Sequence, residues 1–357
     1  MKKLFAIFMI MVVALFTGCG AKTDAREYTF DENVSYYKLY EPDPDYTLCE
    51  KADDDTARLF EAICEAEKVV MNEVYQMNLQ SENIDVFFTD SISKTVYGHT
   101  EESRVDGYYS HELNQVFLNS RLKENRELLM GVMAHEAVHF LYAFNNDIDK
   151  QFFVYKNDNG ELGDALIEGL TQRLALNNLY AMEQQGYCVG AYDAVIKDYY
   201  TNTSVADLIS MYSVPEIDKY YLSNNFEAAR KEFNEKVGSI NSDYEPFELL
   251  EDALQKTQKF EAEGNVEEGT KYLGDIMTLI AYSVSNSDVE TRKQFLQNID
   301  SMVCFTEDFS QSIHEIVGDH WIYKCQNRLW KHSRFYFLFS NKFIYKKVAL
   351  WYHNCSK

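Results

Sequence analysis

Hydrophobic residues recur at helical spacing near the start of the folded part of the chain. Between residues 54 and 77, Phe60, Ile63 and Val70 follow one another three and seven positions apart, which places them on one face of a helix. An aspartate at 54 or 55 is a suitable N-cap, because its carboxylate can accept hydrogen bonds from the free amides of the first turn. We interpret this helix as core scaffold.

Three shorter segments have the composition of β-strands. Residues 84–90 (IDVFFTD) are rich in β-branched and aromatic residues, and they are bounded by polar residues. Residues 106–110 (DGYYS) and 114–120 (NQVFLNS) look like two more strands, separated by a short polar turn. These segments predict a small sheet that precedes the next helix.

Two further helices follow the strands. The first, over about residues 123–144, contains the almost wholly apolar stretch LLMGVMAHEAVHFLYAF, as a helix buried on all sides requires. The second opens near Asp164, after a polar loop, and presents an apolar face that includes Ile167 and Leu170. Gly186 is a plausible end for it, because glycine is favoured just beyond a helix C-terminus.

Beyond residue 190 the pattern is helical almost throughout. Ser287 and Glu290 form a capping-box pattern at the start of the last of these helices. The predicted helices cover about residues 192–212, 225–237, 246–263, 265–284 and 288–303. The fold class we predict is therefore α+β: a small mixed sheet with a buried helix over residues 51–190, then a mainly α-helical region over residues 191–319.

The first residues have the pattern of an export signal. Lys2 and Lys3 precede an apolar run that ends in small residues just before Cys19. The run is too short to cross a bilayer as a helix. The segment resembles a bacterial lipoprotein signal, which implies a signal peptide over residues 1–18 and lipidation of Cys19. Residues 19–50 are polar and predict a tether between the anchor and the folded domain.

The C-terminal segment, residues 320–357, differs from the rest of the chain. It is basic and aromatic and has no acidic residue, in a protein whose net charge is −23. One interpretation is a segment that rests on anionic lipid, and the other is an out-of-frame or misjoined end of the reading frame. The acidic remainder is unsuited to binding nucleic acid, because it repels phosphate.

One group of polar residues interrupts the apolar helix. His135, Glu136 and His139 lie in a stretch where Tyr142 is the only other ionisable side chain. Burying such groups without partners costs several kcal/mol, so a bound ion is the economical explanation. Histidines four apart share a helix face and can occupy two corners of a tetrahedral zinc site. Glu136 is rotated by about 100° from His135, where it can act on water beside the metal.

A third protein ligand is expected on the following helix. Glu168 lies in its first turns between Ile167 and Leu170, whose apolar character places this face inside. A buried glutamate requires a cation, and the site requires an anion. Glu161 and Asp164 are competing candidates, and Glu168 can also be explained as an acid that interacts favourably with a helix N-terminus.

VMAHEAVHFL followed by EGLT resembles the gluzincins, the thermolysin-like zinc peptidases, over roughly residues 84–185. The resemblance implies a zincin-like subdomain, with His135, His139 and Glu168 as Zn²⁺ ligands and Glu136 as general base and then proton donor. It also implies that residues 106–110 form an edge strand that binds substrate. Gln172 stands where that family has an aspartate that orients a histidine, and Asp164 is a second candidate neighbour of the ligands.

The leading hypothesis is a zinc-dependent peptidase, with endopeptidase action favoured, anchored by lipid to the outer face of the cell membrane. Its partners would be peptide or protein substrates and the membrane itself. The alternative is a non-catalytic binding lipoprotein in which zinc only joins two helices. Amidase action on cell-wall peptide cross-links would use the same chemistry. Glu136 separates the two catalytic hypotheses from the structural one, because a structural zinc site has no use for a carboxylate next to a ligand.

Overall fold

The computed structural model describes much of the chain between Cys49 and Gly318. The gaps in the described part are residues 91–92, 97–98, 103–105, 147–154, 157–161, 164, 197–199, 239–244, 263–264 and 303–306. The predictions made for Cys19, for almost all of the tether, for Glu161 and Asp164 and for residues 320–357 lie outside the described residues.

The strands are short and precede the C-terminal helices. They are β1 (Glu50–Lys51), β2 (Asp85–Thr89), β3 (Ser93–Val96), β4 (His99–Glu102), β5 (Gly107–Ser110), β6 (Gln115–Asn119), β7 (Tyr155–Lys156) and β8 (Leu162–Gly163). The three predicted strands are confirmed as β2, β5 and β6. The short strands β1, β3, β4, β7 and β8 were not predicted.

Helices make up most of the described chain. They are α1 (Asp54–Tyr75), α2 (Arg126–Asn145), α3 (Ala165–Glu183), α4 (Ala191–Val195), α5 (Tyr200–Tyr212), α6 (Ile217–Leu222), α7 (Phe226–Val237), α8 (Pro246–Ala262), α9 (Val266–Val284), α10 (Val289–Ser301) and α11 (Glu307–Val317), with a 3₁₀ turn at Ser120–Glu124 before α2. None of the described helices is long and apolar enough to cross a membrane.

The main sheet has four strands in the order β1-β2-β6-β5 and is mixed. β2 runs parallel to β6, whereas β1 pairs antiparallel with β2, and β5 pairs antiparallel with β6. β5 is therefore an edge strand, as expected for residues 106–110. The predicted α+β class and the mixed character of the sheet are confirmed.

Two helix caps differ from the predictions. Asp53 caps α1 by accepting a hydrogen bond from the Thr56 amide at 2.8 Å, so the helix begins at Asp54, one or two residues earlier than a cap at Asp54 or Asp55 would require. At α10 the cap is Asp288, which accepts from the amide of Thr291 at 3.0 Å, and not Ser287. In both cases an adjacent aspartate performs the same chemistry, because its carboxylate reaches the amide two or three residues ahead.

The C-terminal region is helical, as predicted, but it is divided more finely. The helix expected over 192–212 appears as α4 and α5, and the short helices α6 and α11 were not predicted. Helix α3 ends at Glu183, and Gly186 follows with φ +81°, which confirms the predicted stop.

Helix α2 is buried on nearly every side. Its buried residues run from Leu129 to Tyr142 with only His139 more exposed in that span. It packs against α1, α3, α4 and strand β5. Gly131 lets α4 approach, since a Cβ there would lie 2.4 Å from Val195 Cγ1. The central position of α2 explains why its sequence is apolar on all faces.

Candidate metal centre

His135 and His139 lie on one face of α2, as their spacing requires. Their Nε2 atoms are 3.1 Å apart, and the rings meet edge to face. His135 is buried, and the His139 side chain keeps about 20 % of its surface exposed. The pair therefore directs two nitrogen ligands toward one point that is partly open to solvent.

Glu168, in the first turn of α3, supplies a carboxylate at the same point. Its Oε2 lies 3.2 Å from His135 Nε2, and its Oε1 lies 3.7 Å from His139 Nε2. The neighbouring Ile167 and Leu170 are buried, which is the environment expected from the apolar pattern around Glu168. Among the described residues, these three side chains are the group whose ligand atoms all lie within 4.8 Å of one another.

The separations within this group fit a zinc ion. A tetrahedral site with bonds of about 2.05 Å has ligand atoms about 3.3 Å apart, and the 3.1 Å between the two Nε2 atoms and the 3.2 Å between His135 Nε2 and Glu168 Oε2 lie close to that value; His139 Nε2 lies 3.7 Å from the other oxygen of Glu168. Two imidazoles and one carboxylate, with a fourth corner left open, are also a donor set typical of catalytic zinc. The residues present therefore fit the metal that the sequence predicts.

Gln172, one turn beyond Glu168, touches the other side of the His135 ring. Its Oε1 accepts a hydrogen bond from His135 Nδ1 at 2.7 Å, and its Nε2 donates to the Val195 carbonyl at 2.8 Å. The Val195 carbonyl can accept a hydrogen bond only from the amide nitrogen of Gln172. The amide oxygen of Gln172 is therefore the atom that faces the His135 ring. A proton of His135 is thereby held on Nδ1, which leaves Nε2, on the side of Glu168 and His139, as the nitrogen that can bind a metal.

Glu136 is buried beside this group but is not part of it. Its carboxylate accepts a hydrogen bond from the main-chain N–H of Tyr109 in β5. Strand β5 approaches so closely that a Cβ on Gly107 would lie 2.7 Å from Glu136 Oε1 and 2.5 Å from Val132 Cγ1. Glu136 thus lies between the two histidines and the edge of the sheet.

The charges of the group shift three pKa values. Burial opposes ionisation of His135, but the hydrogen bond and the charge of Glu168 outweigh it and raise the pKa of His135 to about 9. Burial likewise opposes ionisation of Glu168, and the two imidazoles nevertheless hold its pKa well below the usual range. Burial raises the pKa of Glu136, against the lowering effect of the histidines. Of the two carboxylates, Glu136 thus accepts a proton more readily than Glu168.

The outer edge of β5 carries main-chain groups that face away from β6. Asn119 N–H bonds to the Asp106 carbonyl at 2.8 Å, and hydrogen-bonded positions alternate along an antiparallel pair. Gly107 and Tyr109 therefore direct their N–H and C=O groups outward. The Tyr109 N–H is taken by Glu136. The outward groups of Gly107 lie next to the Glu136 carboxylate.

Six residues meet here, and the sequence pointed to five of them. His135, Glu136, His139, Glu168 and Gln172 are brought together as their spacing and the resemblance implied. Gly107 was overlooked as a site residue. The signal was present in the sequence, because a glycine inside a strand pattern often marks a close approach of another group to the backbone.

The chain matches no protein-family profile, and no curated protein or solved structure shows significant similarity to it. The functional conclusion therefore depends on the residues and distances described above.

Proposed function

We propose that the protein is a zinc-dependent peptide-bond hydrolase with a zincin-like catalytic subdomain, in which His135, His139 and Glu168 hold the metal and Glu136 is the general base. The observation that carries this proposal is the position of Glu136. It is a buried carboxylate that lies beside three ligand-type side chains without joining them. A structural site would bury such a carboxylate at a cost of several kcal/mol and gain nothing from it.

Each side chain has a task in the reaction. Zinc, when bound, supplies a Lewis acid and a nucleophile at neutral pH. Glu136 takes the proton of the attacking water, which its raised pKa favours, and then passes it to the amine that leaves. Gln172 holds a proton on His135 Nδ1 and fixes the ring, so that Nε2 is the nitrogen that would bind the metal.

Strand β5 supports peptides as the substrate class. The outward N–H and C=O of Gly107 can pair with the main chain of an extended peptide, as in other cases where a strand is added to a sheet edge. A peptide bound there lies next to Glu136, because Gly107 and the Glu136 carboxylate are in contact range. An edge that accepts extended main chain favours endopeptidase action, since it needs no free terminus.

The test compares metal content and cleavage in three forms of the full-length protein. These are the wild type, Glu136→Gln and the control Glu127→Gln, which alters an exposed glutamate on the same helix. We expect one zinc in each form, and a fall in cleavage of an unstructured peptide mixture of about 10²–10⁴-fold in Glu136→Gln alone. Cleavage products identified by mass spectrometry would show whether internal bonds are cut.

One result would favour the structural alternative. If all three forms hold one zinc and none cleaves the peptides, the metal joins α2 and α3 without catalysis. Removal of zinc by a chelator should then unfold the domain, as it does in proteins whose metal is structural. Undiminished cleavage by Glu136→Gln would refute the assignment of the general base.

We further propose that the protein is exported and anchored by lipid on the outer side of the cell membrane. The support is the apolar run from Leu4 to Phe16, followed by small residues directly before Cys19. Metabolic labelling with a radioactive fatty acid should label the wild type and leave Cys19→Ala unlabelled. Equal labelling of both forms would contradict the assignment of Cys19.

A further inference from the structure

Two buried side chains from the C-terminal helices hold the first turn of α3. Asn202, on α5, donates from its Nδ2 to the Ala165 carbonyl at 2.6 Å. The buried carboxylate of Glu251, on α8, faces the main-chain N–H groups of Ala165 and Leu166, which act to lower its pKa. Asn202 is 5 % exposed and Glu251 is 3 % exposed, so neither contact competes with bulk water.

The main chain of α5 also touches α3 directly beyond this turn. A Cβ on Gly169 would lie 2.4 Å from the Asn202 carbonyl oxygen and 2.5 Å from its carbon. The two helices can approach so closely only because residue 169 has no side chain. Contacts with Asn202 therefore lie on both sides of Glu168 in the sequence, at Ala165 and at Gly169.

A metal ligand in this position needs such support. The first N–H groups of a helix have no partner within the helix, and its first turn frays when they are left unsatisfied. Coordination distances must be held to within about 0.2 Å. Glu168 is the fourth residue of α3, so its carboxylate moves with that turn.

We propose that Asn202 and Glu251 are positioning residues for Glu168, so that helices α5 and α8 belong functionally to the metal centre. The inference depends on the proposed function only in taking Glu168 as a metal ligand. It assigns a role to the C-terminal region, which the sequence shows only as a series of helices. Neither residue belongs to the group formed by His135, His139 and Glu168, and both act through the backbone of α3.

The test is a zinc titration of the full-length protein. The protein is first made metal-free, and it then competes with a chromophoric chelator for added zinc. Asn202→Leu and Glu251→Leu remove the two contacts, and Glu251→Gln retains an acceptor oxygen for the amides. The matched control is Asn178→Leu. Asn178 is also a buried asparagine, with 1 % of its surface exposed, and it lies on α3 about 15 Å along the helix axis from Glu168. Unfolding of the metal-free proteins is measured in parallel, so that affinity refers to folded protein.

We expect the zinc affinity of Asn202→Leu and Glu251→Leu to fall about 10–100-fold, the range seen when groups that orient a ligand are removed. Glu251→Gln and Asn178→Leu should bind as the wild type does. A purely structural role would lower stability in all the leucine variants and leave the affinity of the folded fraction unchanged. That pattern, or an equal loss of affinity in Asn178→Leu, would overturn the inference.

A conservative variant and the behaviour of the wild type complete the test. If a leucine variant does not fold, Asn202→Asp replaces the donor at almost constant shape and should weaken zinc binding in the same way; unchanged binding would overturn the inference. A wild type that binds zinc and cleaves no peptide would refute the hydrolase alone. A wild type that binds no zinc would refute both.

Discussion

Replacing Gly107 by alanine probes the contact between the edge strand and Glu136. The added Cβ would lie 2.5 Å from Val132 Cγ1 and 2.7 Å from Glu136 Oε1. Non-bonded carbon atoms prefer separations of about 3.5–4.0 Å, so relief requires a movement of roughly 1 Å. The Glu136 carboxylate is the end of a flexible side chain and moves more easily than Val132, which is branched at Cβ.

We expect Gly107→Ala to lower the rate of catalysis more than it changes zinc binding. A misplacement of about 1 Å at a reacting group lowers the rate by roughly 10²-fold. Overpacking of a buried contact costs about 1–3 kcal/mol of stability. Zinc content should remain at the wild-type value, because the ligands lie on α2 and α3 and not on β5.

The assay combines peptide cleavage kinetics, zinc content and urea unfolding of Gly107→Ala. Gly186→Ala is the control, because Gly186 has φ +81° and no atom within 4 Å of its would-be Cβ. The control should lose about 1–2 kcal/mol through backbone strain and keep its kcat/KM. A Gly107→Ala protein with one zinc and wild-type kcat/KM would show that Glu136 is not held against β5 in the active enzyme.

Three further predictions concern substitutions of buried polar side chains. Gln172→Leu should lower zinc affinity about 10–100-fold, because His135 Nδ1 loses its acceptor; unchanged affinity in a chelator titration would contradict the role of that amide. Burial raises the pKa of Glu251 from 4.5 to about 7, so its ionisation destabilises the fold by at most ~3 kcal/mol, with no cost below pH 4.5 and the full cost above pH 7. Glu251→Gln should therefore match the wild type in urea unfolding at pH 4.5 and exceed it at pH 8, and equal stability at pH 8 would refute this account. Arg173→Met should cost about 3–5 kcal/mol in thermal unfolding, since it leaves the buried Asp218, 3.4 Å away, without its cation; a loss below ~1 kcal/mol would show that the pair is not needed.

The sequence alone determined the elements that depend on local pattern. Periodicity located α1, α2 and α3 to within a few residues, because each has a buried face that repeats with the helix. The same geometry placed His135 and His139 together, since residues four apart on a helix must share a face. Residues that lie within one helix turn of each other need no tertiary information to be paired.

Glu168 and Gln172 show an intermediate case. Their place on a second helix followed from the apolar pattern around them and from the resemblance to the gluzincins. That the carboxylate reaches both histidines and that the amide reaches His135 Nδ1 depends on how α3 crosses α2. The apolar pattern selected the face, and packing set the distances.

Only the tertiary structure decided the contacts between distant segments. No local pattern links Gly107 to Glu136, or Asn202 and Glu251 to the first turn of α3, since these groups are separated by long stretches of chain. Such contacts arise when the sheet edge, α5 and α8 are packed together, and packing depends on the shapes of all the elements at once. The chain's own periodicity therefore determined which residues can bind a metal, whereas the assembly of the helices determined how firmly they are held.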